Sequence, residues 1–141
     1  MEQVSIKGVT TKDGFSFFNA SLSLSRVADL LADQAIALRF FSLGKGQTSF
    51  LVEEADALKV KEALDGAHSG FEQMKAVSIV SLVGEGVTHS KEVLPRCLKL
   101  FETKKVDCFL ISMNSLSLTF AVPTHQKSEL AKELHQLFIE K

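Results

Sequence analysis

Two groups of residues in this sequence have types and spacing suited to holding a small zwitterion or anion. The first is Gly84-Glu85-Gly86-Val87-Thr88-His89-Ser90, which follows an apolar run and leads into an amphipathic stretch. A loop that opens a helix presents backbone N–H groups and the positive end of a helix dipole, which together favour a carboxylate. The candidate contacts there are Glu85, Gly86, Val87, Thr88, His89 and Ser90. The second group is neutral: Asn19, Ser21 and Ser23 at an earlier strand-to-helix connection, and Ser42 and Ser112, seventy positions apart, each inside an apolar strand pattern. A buried hydroxyl in such a strand bonds to backbone or, in a ligand site between folded units, to an amine or carboxylate.

Catalytic chemistry finds no support. No serine stands in a nucleophile elbow, and no carboxylates are paired for acid–base work. Gly44-Lys45-Gly46 lacks the glycine that a P-loop needs five positions earlier, where Arg39 stands. Gly84-Glu85-Gly86 lacks the third glycine of a dinucleotide fingerprint, because His89 occupies that position. His68, His89, His125 and His135 have no metal-ligand spacing. The expectation is no catalytic residue, no metal and no cofactor.

The elements that position these groups are duplicated. Shifted by 70 residues, Arg26 falls on Arg96, Leu24 on Leu94 and Leu30 on Leu100. Phe40-Phe41-Ser42-Leu43 falls on Leu110-Ile111-Ser112-Met113, Phe50 on Phe120 and Leu64 on Leu134. A repeat of this length is a duplicated folding unit. The bulk properties fit a globular protein: 141 residues, 45% hydrophobic, net charge −1. The lysines are scattered, so no basic face for nucleic acid is expected. Eleven Phe with no Tyr or Trp make the aromatic core purely hydrocarbon. Cys97 and Cys108 are too few for a disulfide framework and suit a reducing compartment. The start lacks a signal peptide, and no apolar run approaches bilayer length. A soluble, cytoplasmic chain with no membrane partner is expected.

Period-two patterning predicts a strand over 4–10 and another over 15–20, separated by a tight Asp-Gly reversal at 11–14. A helix capped by Ser23 or Ser25 follows, with Val27, Leu30, Leu31 and Ala35 on its apolar face. A hairpin over 36–52 turns at Gly44-Lys45-Gly46. The next helix begins at Glu53-Glu54, buries Ala57, Val60 and Leu64, and ends at Gly66. Lys75 to Gly84 reads as a strand in mid-sheet. Then come a helix with Pro95 in its first turn, a hairpin around Asn114-Ser115, and a last helix from Thr124, a candidate N-cap.

Strand–helix–strand–strand–helix, twice over, is a ferredoxin-like α+β pattern that needs one more strand per copy. The first copy can take its strand from 71–76. The second can take only the N-terminal strand, since an open edge invites aggregation. The expected architecture is two interlocked βαββαβ units, antiparallel sheets with helices on one face. The first covers 11–76 and the second covers 77–141, completed by strand 3–10. The sequence aligns the end of one strand at Ala20 with the end of its counterpart at Val83, so the first strand-to-helix loop is about seven residues shorter.

Val80-Ser81-Leu82-Val83-Gly84-Glu85-Gly86-Val87 resembles the strand and loop that open the last ACT domain of aspartate kinases. The run from Val106 to Leu118 resembles that domain's next hairpin, and Leu134-His135-Gln136-Leu137-Phe138 its final helix. The resemblance implies a tandem ACT regulatory region that binds an end-product amino acid such as lysine or threonine. It also implies a catalytic kinase subunit as partner, since no catalytic part is present. In the family, loop glycines present N–H groups to the ligand's carboxylate. This chain keeps Gly84 and Gly86 but has Glu92 where a second loop glycine is usual, and it has no glycine in the first copy's loop. Arg39 stands where lysine-sensitive members carry an acid, which disfavours lysine at the first-unit site. The carboxylate site is therefore expected at 85–90.

Three functions follow for comparison: an amino-acid-sensing module, a dimerisation module without ligand, and a small enzyme resembling acylphosphatase. The last lacks an arginine in the 84–90 loop to cradle an anion. A homodimer is expected, because Phe17-Phe18 and Phe40-Phe41 place aromatic side chains on both faces of a sheet.

Overall fold

The computed structural model describes residues 5–87 and 89–139. Val4 and Thr88, which figure in the expectations above, lie outside the described residues. The elements in order are β1 (Ser5–Ala20), α1 (Leu24–Asp33), β2 (Phe40–Gly44), β3 (Gln47–Glu53), a short 3-10 turn (Glu54–Asp56) and α2 (Ala57–Gly66). They continue with β4 (Phe71–Glu85), α3 (Val93–Lys104), β5 (Leu110–Met113), β6 (Ser117–Pro123) and α4 (Thr124–Phe138).

The two hairpins, β2–β3 and β5–β6, are antiparallel and fall where the alternation places them. The hydrogen-bonded strand order is β2-β3-β1-β4-β6-β5. The fold is α+β and antiparallel, in two compact units that share strands. One unit spans Gly14–Val77; the other joins the residues up to Asp13 to those from Ser78 onward. Each unit therefore has four strands in ferredoxin-like order: β2-β3-β1-β4 in one and β1-β4-β6-β5 in the other.

The Asp-Gly reversal expected at 11–14 does not form. β1 runs straight through it, with Gly14 at φ +93. The physical reason is competition: β1 is held between β4 and, from Phe15 onward, β3, and Asp13 spends its carboxylate across strands instead of on its own turn. The strands expected over 71–76 and 75–84 are likewise one strand, β4, with Ala76 left-handed at φ 55. Gly14 and Ala76 lie within two residues of the points where β1 and β4 pass from one unit to the other.

Strand alternation gives each unit one helix-covered face. In the first, Phe18, Ala20, Phe50 and Val52 pack against Val27, Leu31, Val60 and Leu64, with the Phe18 and Phe50 rings stacked at 5.6 Å. In the second, Val80, Leu82, Phe120 and Val122 pack against Cys97, Phe101, Leu130 and Leu134. There the Phe101 and Phe120 rings meet edge-on at 4.7 Å, and Ile6 and Val9 of β1 join the cluster. Both ring pairs lie in the favoured range of aromatic separations.

Helix ends follow local chemistry with three exceptions. Ser23 caps α1, accepting the Arg26 amide at 3.3 Å. Ala35 does not join that helix's apolar face: it is exposed and left-handed at φ 59, past the helix end. Gly66 is the last residue of α2, but the left-handed position after it is taken by His68 at φ 55. Thr124 is not a cap: it is the first residue of α4, and its hydroxyl bonds Ser78 at 2.8 Å.

Candidate functional site

The 85–90 loop is built around Gly86. Its φ of 76 is left-handed, which glycine adopts without penalty. Val87 is buried in the second unit's core and holds the loop down, while Glu85 and His89 are exposed. The Gly86 carbonyl accepts the amides of both His89 and Ser90 at 3.1 Å. The Ser90 hydroxyl in turn accepts the Glu92 amide at 3.1 Å, just before α3 begins. Two of the donors expected to meet a carboxylate, the His89 and Ser90 amides, are thus satisfied within the loop, as is the neighbouring Glu92 amide. A ligand carboxylate would have to take the His89 and Ser90 amides from Gly86.

The corresponding segment of the first unit is tighter still. The Ser21 amide donates to the Gly70 carbonyl at 2.9 Å, and the Leu22 carbonyl accepts the Thr48 hydroxyl at 2.9 Å. The Ser23 oxygen is the helix cap, and the Asn19 amide donates to Ser49 at 2.7 Å.

The neutral candidates fall into rows. In register across three strands, Ser42 faces Ser49 and Ser49 faces Asn19. In the second unit Ser112 faces Thr119, whose hydroxyl bonds Ser81 at 2.7 Å. These side chains alternate with core residues such as Phe18 and Phe120, so each row lies on the face away from its unit's helices. Ser42 is exposed and Ser112 half-buried, whereas both were expected inside apolar strands. Sequence patterning missed Ser49, Ser81 and Thr119, although Ser49 and Thr119 are themselves seventy apart and both hydroxylic.

The rows also correct the alignment of the two copies. Asn19–Ser49 matches Ser81–Thr119, and Ser16–Glu54 matches Ser78–Thr124. In both comparisons the hairpin or helix partner shifts by 70, but the strand partner shifts by 62 (81 − 19 and 78 − 16). The second loop is therefore longer by eight residues (70 − 62), not seven, and Ala20 corresponds to Leu82.

The titratable groups offer little for catalysis. Asp13 accepts from Ser78 at 2.7 Å and pairs with Lys127. The Lys127 ammonium first, and then the Ser78 hydroxyl, hold its carboxyl below the usual aspartate range. Burial pushes the Cys97 thiol up to about 12 and the Cys108 thiol up to about 11. Such thiols are unreactive near neutrality. Among the described residues no group of His, Cys, Asp or Glu could hold a metal ion, and no helix is long and apolar enough to cross a membrane.

Solved structures of the same fold exist. The regulatory subunit of aspartate kinase from Thermus flavus matches with a TM-score of 0.84 and 18% identity, over 94% of this chain and 98% of that one. The ligand-free regulatory subunit from Thermus thermophilus matches at 0.86 and 19%, over 94% and 97%. E. coli aspartokinase III in complex with lysine and aspartate matches at 0.76 and 17%, over 99% of this chain and 35% of that one. The likeness is one of fold, that of the ACT-type regulatory part of aspartate kinases. No protein-family model and no curated protein matches the sequence. At 141 residues the chain is too small to hold a kinase domain as well.

Proposed function

We propose that this chain is a non-catalytic regulatory module that binds an end-product amino acid of the lysine or threonine class and acts, as a homodimer, on an aspartate kinase-type catalytic subunit. The observation that carries this is coverage in both directions: the chain matches a regulatory subunit of aspartate kinase over 94% of its own length and 98% of the other's. In this reading the ACT units are residues 14–77 and the unit formed by residue 78 onward with the first half of β1. The free thiols suit a reducing compartment, and we place the chain in the cytoplasm.

The effector's carboxylate goes to the 85–90 loop, where the His89 and Ser90 amides exchange the Gly86 carbonyl for the ligand. Allostery then follows if the loop with and without ligand favours different arrangements of the subunits. Thermal-shift measurements against the twenty amino acids test this. A binder present at a hundred times its Kd adds about 2.7 kcal/mol of stability by mass action. One amino acid should raise the melting point, and Gly86→Val should remove the effect. Lysine binding lost in Arg39→Asp but kept in Gly86→Val would move the site to the other unit.

A second reading is a dimerisation module without ligand. The closed loops favour it, since the donors of His89, Ser90 and Glu92 already have partners. No thermal shift with any amino acid, in a chain that still dimerises, would establish it.

A further inference from the structure

The helix layer of the second unit holds a small cavity that the loop and hydroxyl rows described above do not touch. It lies between the last turns of α3 and the first turns of α4 and encloses about 60 Å³. Its floor is apolar: Leu130 is buried, and Leu100 and Val106 are half-buried against the same core. Its rim is charged, with Lys104, Glu129 and Glu133. Gln126 forms a fixed wall. Its side-chain carbonyl accepts the Asp107 amide at 3.0 Å, and its nitrogen donates to the Lys105 carbonyl at 3.3 Å.

The cavity arises where the two copies differ. Val106 and Ile36 are seventy apart and stand at the same point of the backbone. Each amide donates at 2.9 Å to the carbonyl five residues earlier, that of Phe101 or Leu31. Ile36 is buried, whereas Val106, one methylene shorter, is half-buried. On the rim the same shift sets Glu129 against Lys59, Glu133 against Ala63 and Lys104 against Gln34. The first copy packs its pair of helices with a larger floor residue and a rim of opposite sign, so helix packing requires neither feature of the second.

We infer that this cavity binds a short primary alkylammonium, its chain on Leu100, Val106 and Leu130 and its charged head at the Glu129 carboxylate. Size sets the chain length: the space is about four water-sized spheres, room for roughly four heavy atoms. Charge sets the head group. Lys104 pairs with Glu133 at 3.4 Å, while the Glu129 carboxylate has no ion-pair or hydrogen-bond partner among the described residues. α3 also ends at Lys104, so the negative end of its dipole adjoins the same rim. An anion would meet both. Water on a floor of three aliphatic side chains finds few hydrogen-bond partners, which an alkyl chain does not need.

The inference rests neither on the amino-acid effector nor on the homodimer. Propylammonium chloride titrated into the full chain tests it, followed by amide chemical shifts. A ligand of so few atoms binds weakly, so the titration runs in the millimolar range. Saturable shifts should centre on Leu100, Val106 and Leu130. Propionate should produce none there, and 1-propanol should bind several-fold more weakly. Two variants borrow the first copy's residues: Val106→Ile fills the floor, and Glu129→Lys reverses the rim. Each should weaken propylammonium binding by about tenfold or more, with unchanged circular dichroism. Glu129 is exposed, so its variant keeps the fold however the core takes the extra methylene of the other. No saturable shift at Val106, propionate binding as tightly, or undiminished binding in Glu129→Lys overturns the inference.

Discussion

Both oxygens of Asp13 are committed, one to the Ser78 hydroxyl and the other to the Lys127 ammonium. This bonding ties the first half of β1 to β4 and to α4. Because the folded state lowers the pKa of Asp13, the contribution is fully present above the ordinary aspartate value of 3.8 and is lost as pH falls through the lower folded value. Denaturation midpoints measured against pH should therefore separate the native chain from Asp13→Asn at neutral pH and bring the two together in acid. A gap unchanged down to strong acid would mean that shape, and not charge, is what Asp13 provides. Residues of this kind are hard to read in advance. The Ser23 cap was legible because its partner, the Arg26 amide, lies three residues away. Asp13 and Ser81 find theirs 65 and 38 positions away, and Asp-Gly even argued locally for a turn.

Among the elements, the long strands depart most from their local patterns. Periodicity located the four helices and both hairpins, since each buries a face whose spacing is set by its own geometry. It could not join 4–10 to 15–20, or 71–76 to 75–84, because only neighbouring strands keep the chain extended through Gly14 and Ala76. It did identify which copy lacks a strand. The first half of β1 lies at the end of the second unit's strand order and contributes Ile6 and Val9 to its core. Removing residues 1–13 should uncover β4 and the apolar side chains beneath, and the shortened chain should aggregate. A soluble, monodisperse product with native circular dichroism would show that the second unit closes its sheet in some other way.

For the whole molecule, sharing β1 and β4 couples the stabilities of the two units. Phe18 and Phe120 are both fully buried, one in each core. Truncating either to alanine should cost about 3–5 kcal/mol. Loosening the first unit frees the second half of β1, and the first half is a strand of the other unit. Each variant should therefore shift one transition, with fluorescence-labelled and circular-dichroism probes coinciding. Two separated transitions in Phe120→Ala would show that the strands transmit no cooperativity across the division near Asp13 and Ser78.

The strand exchange also bears on how such a chain can be inherited. A tandem of self-contained repeats can lose or gain one copy by a single deletion or duplication and still leave intact units. Here, deleting seventy residues to leave one copy removes a strand that the remaining copy needs. A cut near residue 77 leaves one fragment with a surplus strand and the other lacking it. The doubled sequence is thus a one-way step: once the strands had crossed, the pair became the smallest unit that could be passed on.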